Sequence, residues 1–146
     1  MFANQYQKKR VFITGHTGFK GSWLSEWLLM LGAEVTGYSI RVNDAPDHFS
    51  ALGLADRMTH LIGDVRDLPA LEKAIQEVQP DFVFHLAAQP LVRLSYREPV
   101  ETMTTNVTGT LHVLDVLRRL KRKCACVIVT SDKCYENREV FHGYHE

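Results

Sequence analysis

A chain of 146 residues can bury one sizeable core, and its 17 Lys plus Arg against 17 Asp plus Glu leave a formal net charge of zero. That balance lacks the basic excess or basic stripe that a nucleic-acid or acidic-surface partner needs. No segment reaches the ~18 consecutive apolar residues of a membrane span, and the N-terminus lacks the apolar core of a signal peptide, so a cytoplasmic protein with no membrane partner is expected.

The run Val11-Phe12-Ile13-Thr14 predicts a strand, and it ends in Gly15, Gly18 and Gly21 at a spacing of three. A β-branched run, three glycines and then a helix-period pattern is the order a dinucleotide site requires. The first glycine lets the chain turn sharply, the second lets backbone approach a pyrophosphate, and the third lets the helix pack closely on the sheet. The following helix would aim its unpaired N–H groups and positive dipole end at the phosphates. Leu24, Trp27, Leu28 and Leu31 predict its inner face, and Gly32 its stop. Glu34 to Tyr38 predicts the second strand.

Further along, Val42 to Ser50 reads as a loop, Phe49 to Asp56 as a short helix and Met58 to Ile62 as a third strand. Asp67 is placed to cap a helix with Pro69 in its first turn and Leu71, Ile75 and Val78 as its apolar stripe. Phe82 to Leu86 is a nearly continuous apolar run, as expected of a parallel strand covered on both faces, with His85 packed in the core. After a loop from Ala87 to Glu98, Pro99 opens a long helix whose inner face is predicted to carry Met103, Val107, Leu111, Leu114 and Leu117. Arg118, Arg119, Lys121, Arg122 and Lys123 then suit a helix C-terminus. Cys124 to Thr130 is the fifth predicted strand. Cys124, Cys126 and Cys134 lack metal-type C-x-x-C spacing, so structural thiols and no metal are expected. Strands alternating with helices imply an α/β fold with a doubly wound parallel sheet, in the order 3-2-1-4-5.

A ligand of such a sheet lies across the carboxyl ends of its strands. That rule selects Thr14 to Gly21, Tyr38 to Arg41, Asp64-Val65, Ala87 to Gln89, and Thr130 to Tyr135. The acid that usually meets an adenosine ribose is missing after the second strand. Ser39 is able to bond a ribose hydroxyl, while Arg41 suits adenine stacking, a 2′-phosphate or a plain surface charge, which leaves NAD against NADP open. Asp64 is able to accept from the adenine amino group, and Ala87-Ala88 let backbone pass close to a cofactor. Thr130-Ser131-Asp132-Lys133 groups hydroxyl, carboxyl and amine, the kinds of group that bind a substrate oxygen and move protons.

Thr14-Gly15-x-x-Gly18-x-x-Gly21, Asp64-Val65, His85-Leu86-Ala87-Ala88 and Asn106-Val107-x-Gly109-Thr110 together resemble the extended short-chain dehydrogenase/reductase family that acts on nucleotide sugars. Gly15 to Trp23, Ala88 to Tyr96 and Thr130 to Tyr135 are similar to the family's CDP-sugar 4,6-dehydratases. The resemblance implies a Rossmann domain that binds NAD, with NADP open, through Gly15, Thr17, Gly18, Phe19, Gly21, Ser39, Arg41, Asp64, Val65, Ala87, Ala88, Gln89, Asn106 and Thr130. It implies a nucleotide-sugar substrate, a homo-oligomeric full-length enzyme and a place in polysaccharide biosynthesis. By position Ser131 would bind the sugar C4 oxygen, Asp132 would protonate the departing C6 hydroxyl, and Lys133 would stand where relatives carry a Glu base. The family's Tyr-x-x-x-Lys pair is not found: Tyr135 is followed four residues later by Glu139, and Tyr144 lies too near the end. The sequence therefore reads as the N-terminal, cofactor-binding piece of a longer enzyme or a truncated product, without its substrate domain and without turnover. The competing readings are an epimerase or decarboxylase of the same family and a non-catalytic dinucleotide-binding module.

Overall fold

The computed structural model describes residues 2–40, 47–131, 136, 138–139 and 141–144. Five parallel strands, β1 (Arg10–Thr14), β2 (Glu34–Ser39), β3 (Thr59–Ile62), β4 (Phe82–His85) and β5 (Ala125–Ile128), form one sheet in the order β3-β2-β1-β4-β5. The order expected from the sequence is the one observed. It reverses between β1 and β4, where Thr14 stands in register with Tyr38 on one side and His85 on the other.

Alternation along β1 divides the core. Val11 and Ile13 face α1 (Phe19–Met30), whereas Phe12 faces a second core with Leu71, Ala74, Ile75, Val83, Val113 and Val116, carried by β4, α3 (Leu68–Val78) and α6 (Gly109–Arg119). α3 begins as predicted, with the Asp67 carboxylate accepting from the Ala70 N–H at 3.1 Å and Pro69 in the first turn. Its fully buried Leu71 and Ile75 each contribute about 1.5–3 kcal/mol.

Several expectations need correction. The inner face of α1 is Gly21, Ser22, Ser25 and Leu28, while Trp27 is 43 % exposed and Leu24 only half-buried. The helix lies too close to the turn before it for large side chains: a Cβ at Gly21 would sit 2.1 Å from the Gly15 carbonyl oxygen. The segment between Ala87 and Glu98 is not all loop, since it holds α4 (Val92–Arg97), which has no buried residue. The long helix is α5 (Pro99–Met103), a π turn (Thr104–Thr108) and α6.

Most of its predicted inner face points outward, although Leu117 packs against the Phe12 core as expected. Met103, Val107, Leu111 and Leu114 are exposed, and Gly109, Val113 and Val116 face the sheet instead. Close packing selects the small residues here too, because a Cβ at Gly109 would meet Val65 Cγ2 at 2.6 Å. The helix expected over Phe49 to Asp56 is two short pieces, α2 (His48–Ala51) and a 3-10 turn (Leu54–Asp56).

The basic run works by pairing. Arg119 reaches Glu72 on α3 at 2.5 Å, Arg118 holds Asp115 at 2.7 Å and Arg122 meets Asp81. Such surface pairs contribute about 0–1 kcal/mol each. Cys124 and Cys126 pack beside the Phe12 core, where burial pushes the Cys124 thiol up to about 11; Cys134 lies outside the described residues.

Candidate functional site

The crevice at the carboxyl ends of β1 and β4 is built largely from backbone. Gly15 leaves β1 at φ +74°, a region L side chains rarely adopt, and a Cβ there would lie 2.7 Å from the Ala87 nitrogen. Gly21 is equally closed, as described above. Gly18 differs: it caps α1 with φ −70° and ψ 168°, it is exposed, and a Cβ on it would approach only the Gly15 oxygen at 3.3 Å. Two glycines thus shape the turn, while the third keeps the space above it clear. No side chain caps α1, so its first-turn N–H groups remain available to an anion. These features fit a dinucleotide pyrophosphate.

The residues selected from the sequence fall into three states. Thr17 and Ser39 are buried and joined hydroxyl to hydroxyl at 2.9 Å, which ties the glycine turn to the end of β2. Asp64 follows β3, its carboxylate gripped by Arg66 at 2.6 Å and by the Arg66 N–H at 2.8 Å. The Arg66 side chain holds its pKa below the ordinary range, against the upward push of partial burial. Val65 is buried beneath Gly109, and its carbonyl lies 2.9 Å from His112 Nδ1. Ala87 packs on Gly15, Ala88 is exposed beside it, and Phe19 is 74 % exposed at the head of α1. Thr130 and Ser131 are exposed just beyond β5. Arg41, Asp132 and Lys133 lie outside the described residues.

Gln89, selected by its place after β4, and Asn106, taken from the resemblance alone, prove to be partners. The Gln89 N–H donates to Asn106 Oδ1 at 2.8 Å, Asn106 Nδ2 donates to the Gln89 carbonyl at 3.1 Å, and Gln89 Nε2 donates to Thr102 at 2.9 Å. The π turn therefore clamps the loop that follows β4.

His85 is buried as the sequence predicted, but sequence reasoning overlooked the polar layer to which it belongs beneath the crevice. Thr14, His16 and His85 are all buried; His16 Nε2 is 2.7 Å from His60 Nδ1, and His16 Nδ1 is buried without a hydrogen-bond partner. The available signal was a threonine or histidine closing an otherwise apolar strand. Burial lowers His16 to about 4, with neighbouring His60 adding to the shift and the Tyr38 backbone opposing it. Burial alone lowers His85 to about 4.

Both rings are thus neutral in the folded chain until about pH 4, whereas the unfolded chain protonates them near 6.5. Stability is full above about pH 6.5 and falls as the pH drops toward 4, by up to about 1.4 kcal/mol per pH unit for each ring. Urea unfolding between about pH 7.5 and 5 measures the slope; a flat profile would contradict it.

Among the described residues no group of three or more His, Cys, Asp or Glu is arranged to hold a metal, and no helix is long and apolar enough to cross a membrane.

Comparison with known proteins agrees with this geometry. The model of the family "GDP-mannose 4,6 dehydratase" matches residues 12–142. CDP-glucose 4,6-dehydratase of Salmonella typhimurium is 53% identical over 98% of the chain, which spans 40% of that relative's length. Among solved structures, UDP-glucose 4-epimerase of Thermus thermophilus in complex with NAD is 34% identical over 75% of this chain and 34% of that one, with a TM-score of 0.65. A UDP-glucose-4-epimerase from Stenotrophomonas maltophila shares the fold at a TM-score of 0.79, over 91% of this chain and 40% of that one, at 23% identity. With its glycine-stripped turn between β1 and α1 and a family match over nearly its whole length, the chain belongs to the GDP-mannose 4,6 dehydratase family, within the extended short-chain dehydrogenase/reductases of nucleotide sugars.

Proposed function

We propose that the chain carries the NAD-binding part of a nucleotide-sugar 4,6-dehydratase that converts CDP-glucose to CDP-4-keto-6-deoxyglucose. The observation that carries the reading is the asymmetry of the three glycines: Gly15 and Gly21 are closed against backbone, and Gly18 is open above an uncapped helix N-terminus. The identity to the Salmonella enzyme supports CDP-glucose as substrate, and the NAD complex of the Thermus epimerase supports the cofactor. The chain spans 40% of the Salmonella relative's length, and the proposal gives these residues the cofactor-binding role.

In this reading the first turn of α1 and Gly18 receive the pyrophosphate, Thr17, Ser39 and Arg41 serve the adenosine ribose, and Asp64 with Val65 borders the adenine. Phe19, Ala87, Ala88, Gln89 and Thr130 line the path toward the sugar, while Asn106 steadies it through Gln89. When bound, the dinucleotide would supply a hydride acceptor for the sugar C4 and the same hydride for C6. Ser131 binds the C4 oxygen, Asp132 protonates the departing C6 hydroxyl, and Lys133, neutral, removes the C5 proton that the 4-keto group has acidified. The reaction belongs to the cytoplasm and to polysaccharide biosynthesis, in a homo-oligomeric enzyme.

Calorimetric titration of the 146-residue protein, shown folded by circular dichroism, tests the cofactor claim. Heat of binding with NAD is expected. No heat with either NAD or NADP would sink the proposal.

A further inference from the structure

A single line of hydrogen bonds runs beneath the crevice from the glycine turn to the π turn. Thr14, the residue before Gly15, places Oγ1 2.6 Å from His85 Nδ1; the same oxygen receives the Ala87 N–H at 3.2 Å and shares the Leu86 N–H, 3.2 Å away, with the Thr14 carbonyl at 3.1 Å. On the far side of the ring, His85 Nε2 is 3.0 Å from Thr110 Oγ1, and the Thr110 hydroxyl donates to the Asn106 carbonyl at 2.7 Å. Asn106 closes the line through its paired bonds to Gln89. Both ends therefore reach the loop that packs on Gly15.

The direction of each bond follows from counting protons. A hydroxyl has one proton and two lone pairs. Thr110 gives its proton to Asn106, so it meets His85 Nε2 as an acceptor and requires a proton there. Thr14 Oγ1 already accepts from the Ala87 N–H and takes a share of the Leu86 N–H, and its own proton has Nδ1 at 2.6 Å as acceptor, so it meets Nδ1 as a donor and favours that nitrogen bare, the same form that Thr110 requires. The two ends demand the same ring form. A proton on Nδ1 would press a third donor on Thr14 and leave its own hydroxyl proton without an acceptor.

We propose that His85, as the neutral imidazole protonated on Nε2 only, is a positioning residue that couples the glycine turn to the Asn106 turn, so that Ala87 and Gln89 are set by one relay. Its effect on cofactor rests on the dinucleotide reading given above, whereas the ring form and the coupling rest on the geometry alone.

Nitrogen-15 correlation spectra of the 146-residue protein near neutral pH are expected to show a pyridine-like Nδ1 and a pyrrole-like Nε2 for His85. Thr110→Val removes the hydroxyl and keeps the shape. It should speed exchange of the Ala87 amide and weaken NAD binding, each by about threefold to tenfold, while the Val83 amide in the middle of β4 exchanges as before. Thr110→Ser should restore both values. In a His85→Leu background the Thr110→Val change should add nothing further, since the residue joining the two ends is gone.

A pyrrole-like Nδ1, an imidazolium, or an Ala87 amide indifferent to Thr110→Val would each overturn the proposal. If Thr110→Val fails to fold, the ring form in the unaltered protein decides. If the unaltered protein binds neither NAD nor NADP, the dinucleotide reading falls, and the nitrogen spectra with Ala87 exchange still decide the role of His85.

Discussion

Gly18→Ala leaves the stability of the 146-residue protein nearly unchanged and weakens NAD more than tenfold, whereas Gly21→Ala removes a large fraction of that stability. At Gly21 the added carbon would lie 2.1 Å from the Gly15 oxygen and 2.7 Å from His16 Cα. Both atoms are backbone, so neither retreats by changing rotamer, and relief requires α1 to move off the sheet. Overpacking of this kind costs about 3 kcal/mol or more against a typical total of 5–15 kcal/mol. Gly18 stands in ordinary extended backbone, and its added carbon meets one oxygen at 3.3 Å, which a shift of a few tenths of an ångström relieves. Its stability should change by less than about 1 kcal/mol. The methyl would nevertheless project where an anion must come to reach the first-turn N–H groups of α1. Urea unfolding and calorimetry on the two variants separate the effects; wild-type affinity in Gly18→Ala would place the ligand elsewhere.

In an enzyme of the length of its relatives, Lys133→Met should lower kcat for dehydration by about 10²–10⁴, the usual contribution of a positioned proton-transfer group. An ordinary lysine, with a pKa of about 10.4, is almost wholly protonated at neutral pH and is no base. On the proposed assignment Lys133 acts as the neutral amine, so the rate should rise with pH until the lysine has lost its proton. Replacing it with Met should flatten that rise and stop exchange of the C5 proton with solvent. Asp132→Asn should instead permit C5 exchange while blocking loss of the C6 hydroxyl, because only the acid is gone. If Lys133→Met exchanged the C5 proton at the normal rate, the base would be another residue.

The fold was legible in the sequence because each strand is a short apolar run separated from the next by a helix, and that alternation admits few sheet orders. The glycine turn was legible for the same kind of reason, since three glycines ahead of a helical pattern have few other uses. Helix faces were misread wherever packing was closest. Hydrophobicity pointed to Trp27 and Leu111, whereas the buried positions are Ser22, Ser25 and Gly109, and at Gly109 the Val65 side chain already fills the space that a Cβ would need. The relay through His85 was invisible for a different cause. Thr14 and Thr110 lie 96 residues apart, and only the register of β1 with β4 and the position of α6 bring them to one imidazole. Gln89 was named for its place at a strand end and Asn106 for its likeness to a motif; their mutual bonds belong to three-dimensional structure.

The small-residue face of α1 separates two quantities that usually vary together. The atoms proposed to meet the pyrophosphate are held by backbone resting on backbone at Gly15, His16 and Gly21. Large core side chains such as Leu28, Leu71 or Ile75 support this contact from a distance. A conservative exchange among them, Ile75→Val for instance, should lower the melting temperature while leaving affinity for the dinucleotide intact. The interior is thus free to drift in sequence without retuning the ligand, and the glycines are not.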